Sequence, residues 1–246
     1  MTVALIDGDI LAYQAAAVSE QATDWGDGLW TLHAFEGLAT TAFTTQLTSI
    51  LEKVGTETCV IVFSDSKNWR KDVLPTYKSN RIGVRKPMLL KYIRQWANDR
   101  YVCQTIDTLE GDDVLGIVAT TEPKGDYVIC TIDKDLKTIP GKHYNFGKEE
   151  FFEVDEDTAD YWHMIQTLTG DTTDGYSGCP GVGIKTAEKI LLAAEEGDRW
   201  DAVVKAYEKA GFGEEEALVQ ARVARILRAS DYNFNTKEVV LWHPDQ

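Results

Sequence analysis

Several short apolar runs in this chain run into a carboxylate, and that recurrence limits what the chain can fold into. VALI (3–6) leads into Asp7, TCVIVFS (58–64) into Asp65, and DYVICTI (126–132) into Asp133. A fourth strand-like run, YVCQTID (101–107), stands just before Glu110. Helix-like stretches separate these runs. Strands alternating with helices point to a parallel α/β sheet, because parallel neighbours need a crossover between them. In such sheets ligand sites form outside the carboxyl ends of the strands, so this pattern delivers acids to one edge.

More acids cluster beside those at the strand ends. TLEGDDVLG places Glu110, Asp112 and Asp113 within four residues, just before an apolar helix-like run. In TIDKDL, Asp133 and Asp135 are two apart, so an extended backbone aims both the same way. In TGDTTDG, Asp171 and Asp174 are three apart, and one turn presents both. Any one strand-end acid is most simply a helix N-cap. The whole set is not, since each helix needs a single cap. Nine clustered carboxylates repel one another and call for cations. Oxygen-only donors favour Mg²⁺ or Mn²⁺ over zinc. His33, His143, His163 and His243 form no metal-binding pattern and read as surface or core residues. No Walker A loop or dinucleotide fingerprint is present. Paired hard metals in an acidic cup are a standard solution for phosphodiester hydrolysis.

The formal net charge of −15 argues against a nucleic-acid partner, but its distribution argues for one. Residues 66–106 carry ten Lys/Arg against Asp72 and Asp99. Standing alone, that block would read as a solvated basic helix face. Between two acidic motifs it suits an anionic substrate. The glycine-rich stretch SGCPGVGIKTAEKIL (177–191) predicts a tight hairpin opening into a helix near Ile184. Its backbone N–H groups, with Lys185 and Thr186, suit a phosphodiester backbone read without sequence preference.

The remaining expectations are structural. Asp9 is placed as N-cap of the first helix, and residues 24–33 as a small hairpin. A long helix closes at Gly55, and KHYNFG pairs with EEFFEV. Residues 157–170 form an amphipathic helix, three more lie in 184–230, and KEVVLW is a last short strand. The composition, 43% hydrophobic and 26% charged, is that of a soluble globular protein. No run is long enough for a membrane span and no secretory signal is evident. Cys59, Cys103, Cys130 and Cys179 read as free thiols of a reducing cytosol.

Taken in order, the motifs LIDGD, VFSD, LPTYKSNR, LEGDDVLG, TIDKDL and LTGDTTDGYSGCPGVGIKTAEKIL resemble the 5′ nucleases of the flap-endonuclease superfamily. Within it, the bacteriophage 5′→3′ exonucleases and the 5′-nuclease domain of bacterial DNA polymerase I are the nearest in pattern. The resemblance covers most of residues 3–192 and implies a PIN-like, mostly parallel sheet flanked by helices. It implies a catalytic domain over 1–165 with a helical arch at 66–95. A helical DNA-binding lobe over 166–246 would carry a helix-hairpin-helix-type motif. Asp7, Asp65, Glu110 and Asp112 would then serve the first metal, and Asp133, Asp135, Asp171 and Asp174 the second. Asp113 either bridges through water or caps the helix. Family precedent makes Glu110 and Asp112 direct ligands, which requires Glu110 to precede the helix, with Gly111 allowing the bend.

By the same resemblance Lys78 and Arg81 act at the scissile phosphate. Arg70, Lys71, Arg85 and Lys86 contact DNA, as do Gly181, Val182, Gly183, Lys185 and Thr186, with K⁺ on the hairpin carbonyls. The implied enzyme is a monomeric Mg²⁺-dependent 5′→3′ exonuclease and flap endonuclease of a bacterial or phage-infected cytoplasm. It would use two ions, accept Mn²⁺ and leave 5′-phosphates. Its partners would be DNA 5′ ends, flaps and duplex junctions, and RNA–DNA hybrid. Two competitors stand beside it. An aspartate-nucleophile phosphatase is suggested by Asp7-Gly8-Asp9, but Ile10-Leu11 break that motif. A non-catalytic DNA binder would gain nothing from so many acids.

Overall fold

The computed structural model describes residues 2–123, 125–194 and 198–244. Its centre is a six-stranded sheet of β1 (Val3–Asp7), β4 (Cys59–Val62), β5 (Cys103–Gln104), β6 (Tyr127–Cys130), β7 (Gly141–Asn145) and β8 (Glu150–Val154), in spatial order β5-β4-β1-β6-β7-β8. The first five strands in that order run parallel, and β8 closes the edge antiparallel to β7. β1 is central, and Ala4, Leu5 and Ile6 are fully buried on both of its faces. That explains why VALI is continuously apolar rather than alternating.

Crossover helices cover both faces. On one face α1 (Gly8–Val18), α2 (Glu36–Val54) and α4 (Leu90–Asn98) build a core around Ile6, Phe43, Leu47, Ile61 and Ile93. On the other, α5 (Gly111–Thr120) packs Val114, Leu115 and Ile117 against Leu5, Val62 and Ile129, joined by Ile226 and Leu227 from the C-terminal region. A further core lies among α6 (Glu156–Thr169), α7 (Ile184–Leu192), α8 (Arg199–Lys209) and α9 (Glu214–Ala224). α6 contributes Met164, Ile165 and Leu168 to it, so the division expected at 165/166 falls inside a helix.

Between α1 and α2 a separate hairpin forms from β2 (Glu20–Asp24) and β3 (Trp30–Ala34). Another small ribbon pairs β9 (Tyr232–Asn233) with β10 (Glu238–Val239). α2 ends where Gly55 takes φ +75°, as its position in the sequence predicts. The 66–95 segment contains α3 (Arg70–Val73), a 3₁₀ turn at Ser79–Arg81 and the start of α4.

Two local expectations are corrected. The strand expected over 101–107 pairs only through Cys103 and Gln104. Asp7, not Asp9, caps α1: its carboxylate accepts from the Ile10 N–H at 3.1 Å. Asp9 sits one step inside the helix and accepts instead from the Ser64 N–H at 2.8 Å. The chain turns from β1 into α1 against β4, and a Cβ on Gly8 would come within 2.6 Å of the Val62 carbonyl. Gly8→Ala should therefore cost about 1–3 kcal/mol through overpacking. Urea unfolding checks this, and an unchanged midpoint would count against so tight a junction.

Candidate active site

Eight of the nine predicted metal-ligating acids line a single cleft of about 1230 Å³ at the carboxyl edge of the sheet. Asp7 ends β1, Asp65 lies beyond β4, and Asp133 and Asp135 lie beyond β6. Glu110 precedes α5 in extended conformation and Asp112 stands in that helix's first turn. Asp171 and Asp174 come from the loop after α6, which leaves the helix through Gly170 at φ +64°. A Cβ on Gly170 would strike the Ser177 and Gly178 backbone within 2.6 Å, so the loop can fold back only over glycine.

The carboxylates have unequal environments. Burial, with the charges of Asp9 and Asp133, raises Asp7 to about 7, although Thr131 donates to its Oδ2 at 2.7 Å. Burial and the charges of Asp7 and Asp133 raise Asp112 well above the usual carboxylate range. Burial and Asp133 raise Asp135 to about 6. Glu110 goes the other way. Burial pushes it up, but Arg70 and Lys78 outweigh that and hold it at about 2. Asp65, half-buried, is lowered by backbone N–H groups, chiefly that of Thr108 at 2.8 Å.

The basic segment lies directly on these acids. The Lys78 ammonium donates to Glu110 and stands 3.4 Å from Asp174 Oδ2, and Arg81 pairs with Asp174. Tyr77 donates its hydroxyl toward both Glu110, at 2.9 Å, and Asp174, at 3.0 Å. Sequence reasoning passed over Tyr77 in favour of the charged neighbours in LPTYKSNR. Its signal was the adjacency to Lys78. Lys71, Arg85 and Lys86 also line the cleft, with Arg85 holding Glu20 of β2 through two bonds of 2.7 Å. Gly181, Val182, Gly183, Lys185 and Thr186 do not line it; they form the turn and first residues of α7.

Asp113 and Arg70 are held inside the protein. Asp113 is 0% exposed and Arg70 is 2% exposed. Arg70 grips both Asp113 oxygens at 2.7 Å. Asp113 also accepts from Trp69 Nε1, the Leu227 N–H and the Glu110 N–H, which leaves no lone pair facing the cleft. Arg70 spends its other donors on Glu110 and on the carbonyls of Val223 and Arg225, so all of its N–H groups are engaged within the protein. Asp113 caps α5, accepting from the Glu110 N–H at 3.2 Å. Both residues look like solvent-facing charges in sequence, and only the structure shows their burial and internal hydrogen bonds.

The eight remaining acids fit a hard divalent cation. Their donors are all oxygen, three are raised by crowding and burial, and a lysine ammonium already bridges toward two of them. Among the described residues no three acidic, His or Cys side chains converge as a finished cage. Glu110 and Asp174 instead turn to Lys78 and Arg81.

The chain is similar to known proteins in sequence and in fold. The family model described as 5′-3′ exonuclease, N-terminal resolvase-like domain, matches residues 2–161. An exodeoxyribonuclease of Enterobacteria phage T3 is 31% identical, over 98% of this chain and 92% of its own length. Flap endonuclease Xni of Vibrio campbellii is 30% identical, over 81% of this chain and 85% of its own. The solved structure of T5 5′-exonuclease with bound zinc superposes with a TM-score of 0.71, covering 91% of this chain and 89% of that one. At 15% identity, that likeness is one of fold.

Two outcomes follow from the geometry. Arg70→Met should destabilise the fold by about 3–5 kcal/mol, since it strands a buried carboxylate. Lys71→Ala, at an exposed position of the same segment, should change stability little; equal losses in urea melts would contradict the buried pair. The second outcome concerns pH. Asp7 and Asp135 hold protons more tightly folded than unfolded, so their contribution is complete below about pH 4 and is lost as pH rises through about 6–7. In chelator, Tm should fall across that interval, and Mg²⁺ should restore it at pH 7.5 more than at pH 5. A flat Tm in chelator from pH 5 to 7.5 would refute the crowding.

Proposed function

The chain belongs to the 5′-3′ exonuclease family, and on that premise we propose that it is a divalent-metal-dependent 5′→3′ exonuclease and flap endonuclease acting on DNA. Its substrates are 5′ ends, flaps and duplex junctions, with the RNA of RNA–DNA hybrids accepted as well, and its products carry 5′-phosphates. One observation carries this reading: eight carboxylates and the Lys78–Arg81 pair line one cleft, with Lys78 and Arg81 in direct contact with two of the acids. The acids alone would repel a phosphodiester, and the cations alone would only bind one.

Asp7, Asp65, Glu110 and Asp112 would hold one ion, and Asp133, Asp135, Asp171 and Asp174 a second. Mg²⁺ is the natural occupant of such oxygen donors and Mn²⁺ a substitute. When bound, the ions supply the positive charge that activates water and offsets charge on the phosphate. Lys78 is held charged: burial opposes this, but Glu110 and Asp174 outweigh it. Lys78 and Arg81 can therefore neutralise a phosphate that enters between them and the acids. Lys71 and Lys86 extend that positive wall along the strand. The turn at Gly181–Gly183 and the α7 N-terminus with Lys185 and Thr186 form a second hold on duplex backbone, with K⁺ on the turn carbonyls. The enzyme works as a monomer in the bacterial or phage-infected cytoplasm.

A 5′-labelled flap substrate tests this. Mg²⁺ should bring cleavage at the junction with a 5′-phosphate on the new end, and chelator should abolish it. Lys78→Ala should lower the rate about 10²–10³-fold, as for loss of one charge-stabilising group. Asp112→Ala should be inactive. Full activity in Asp112→Ala, or release of inorganic phosphate alone, would sink the proposal.

A further inference from the structure

The loop that carries Asp171 and Asp174 is held from outside its own helix. Asn80, on the 3₁₀ turn of the basic segment, donates its amide to two successive carbonyls of that loop, Thr172 at 3.0 Å and Thr173 at 3.1 Å. Arg81 Nε adds a bond to Thr173 O at 3.3 Å, and the Lys78 backbone N–H donates to Asp174 O at 2.7 Å. Lys78 reaches that bond in a left-handed conformation, φ +53°, which a lysine adopts only under constraint. On the other side a Cβ at Gly175 would lie 3.3 Å from Thr76 O and 3.4 Å from Lys78 N. The two loops therefore fit each other with little slack.

Within its own loop, Asp171 Oδ1 accepts from the Thr173 N–H at 2.7 Å, so the backbone that Asn80 grips also orients the Asp171 carboxylate. Thr172 and Thr173 sit between the two acids in sequence, and holding both carbonyls fixes the peptide planes that set the direction of each side chain. Asn80 is exposed, so it contributes little to global stability. It is uncharged and offers the loop two N–H donors, which no carboxylate or aliphatic side chain at that position could do.

From these contacts we infer that Asn80 is a positioning residue, registering the phosphate-binding pair Lys78–Arg81 against the carboxylates Asp171 and Asp174. The two loops move as one body, so displacing the basic segment also displaces the acids of the second ion site. This rests on the metal-dependent reading above.

The test is Mn²⁺ binding to the full chain without DNA, followed by titration calorimetry and by the spin-resonance signal of free Mn²⁺. The wild-type protein should take two ions. Asn80→Leu, of similar shape but without donors, should weaken the ion bound at Asp171/Asp174 about three- to tenfold, as expected for two lost hydrogen bonds. The other ion should bind as before, and Tm should stay within about 2 °C because the side chain is exposed. On a flap substrate the same variant should lose kcat at saturating Mg²⁺ with little change in KM. If Asn80→Leu binds both ions as the wild type does, the inference is overturned while the metal reading stands. If the wild type binds no Mn²⁺, the metal reading itself fails and takes the inference with it. Should the leucine variant not fold, Asn80→Ser, which keeps one donor, carries the same test: a smaller selective loss supports the inference and unchanged affinities overturn it.

Discussion

The buried ion pair between Arg70 and Asp113 is the constraint on which the site depends. All five guanidinium N–H groups can be accounted for: two on Asp113, one on Glu110, and one each on the carbonyls of Val223 and Arg225. Charges taken this far out of water are stable only when paired and fully hydrogen-bonded, and here each partner satisfies the other. One guanidinium thus ties the foot of the basic segment to the start of α5 and to the chain leaving α9. These three parts are far apart in sequence. That tie fixes the base of the basic segment, and the contacts of Lys78, Asn80 and Arg81 with Glu110 and the 171–174 loop hold its tip over the acids.

Above this anchor the cleft is a standing competition for positive charge. Asp7, Asp112 and Asp135 are crowded and raised, while Glu110 is lowered because Arg70 and Lys78 reach it. The basic side chains serve as internal counter-ions to part of the acidic set. On the proposed function, a divalent cation entering the cleft would take over some of that neutralisation and free Lys78 and Arg81 to meet a phosphate. The contacts of Asn80 and Arg81 with the Thr172 and Thr173 carbonyls join the basic segment to the loop of Asp171 and Asp174.

Much of the fold was legible from periodicity. Continuous apolar runs marked β1 and β6 because both faces of the sheet are covered, and Gly55 marked the end of α2 because only glycine takes its positive φ at little cost. The hairpin at β2 and β3 was visible from its Gly-Asp-Gly turn. β5 was overestimated because apolar composition extends beyond the two residues that pair. Asp9 was mistaken for the cap because Asp7 and Asp9 are equally good cap residues, and only the point where the strand ends decides between them.

For the site, the sequence by itself determined that acids would gather at one sheet edge beside a local excess of positive charge. Strand polarity and the right-handed crossover make that outcome nearly unavoidable once the strands alternate with helices. Tertiary structure alone decided which charges face the cleft and which hold the protein together. Asp112 and Asp113 are neighbours of identical chemistry, yet a helix turns successive side chains by about 100°. One therefore faces the cleft, and the other faces a buried arginine supplied from forty-three residues away.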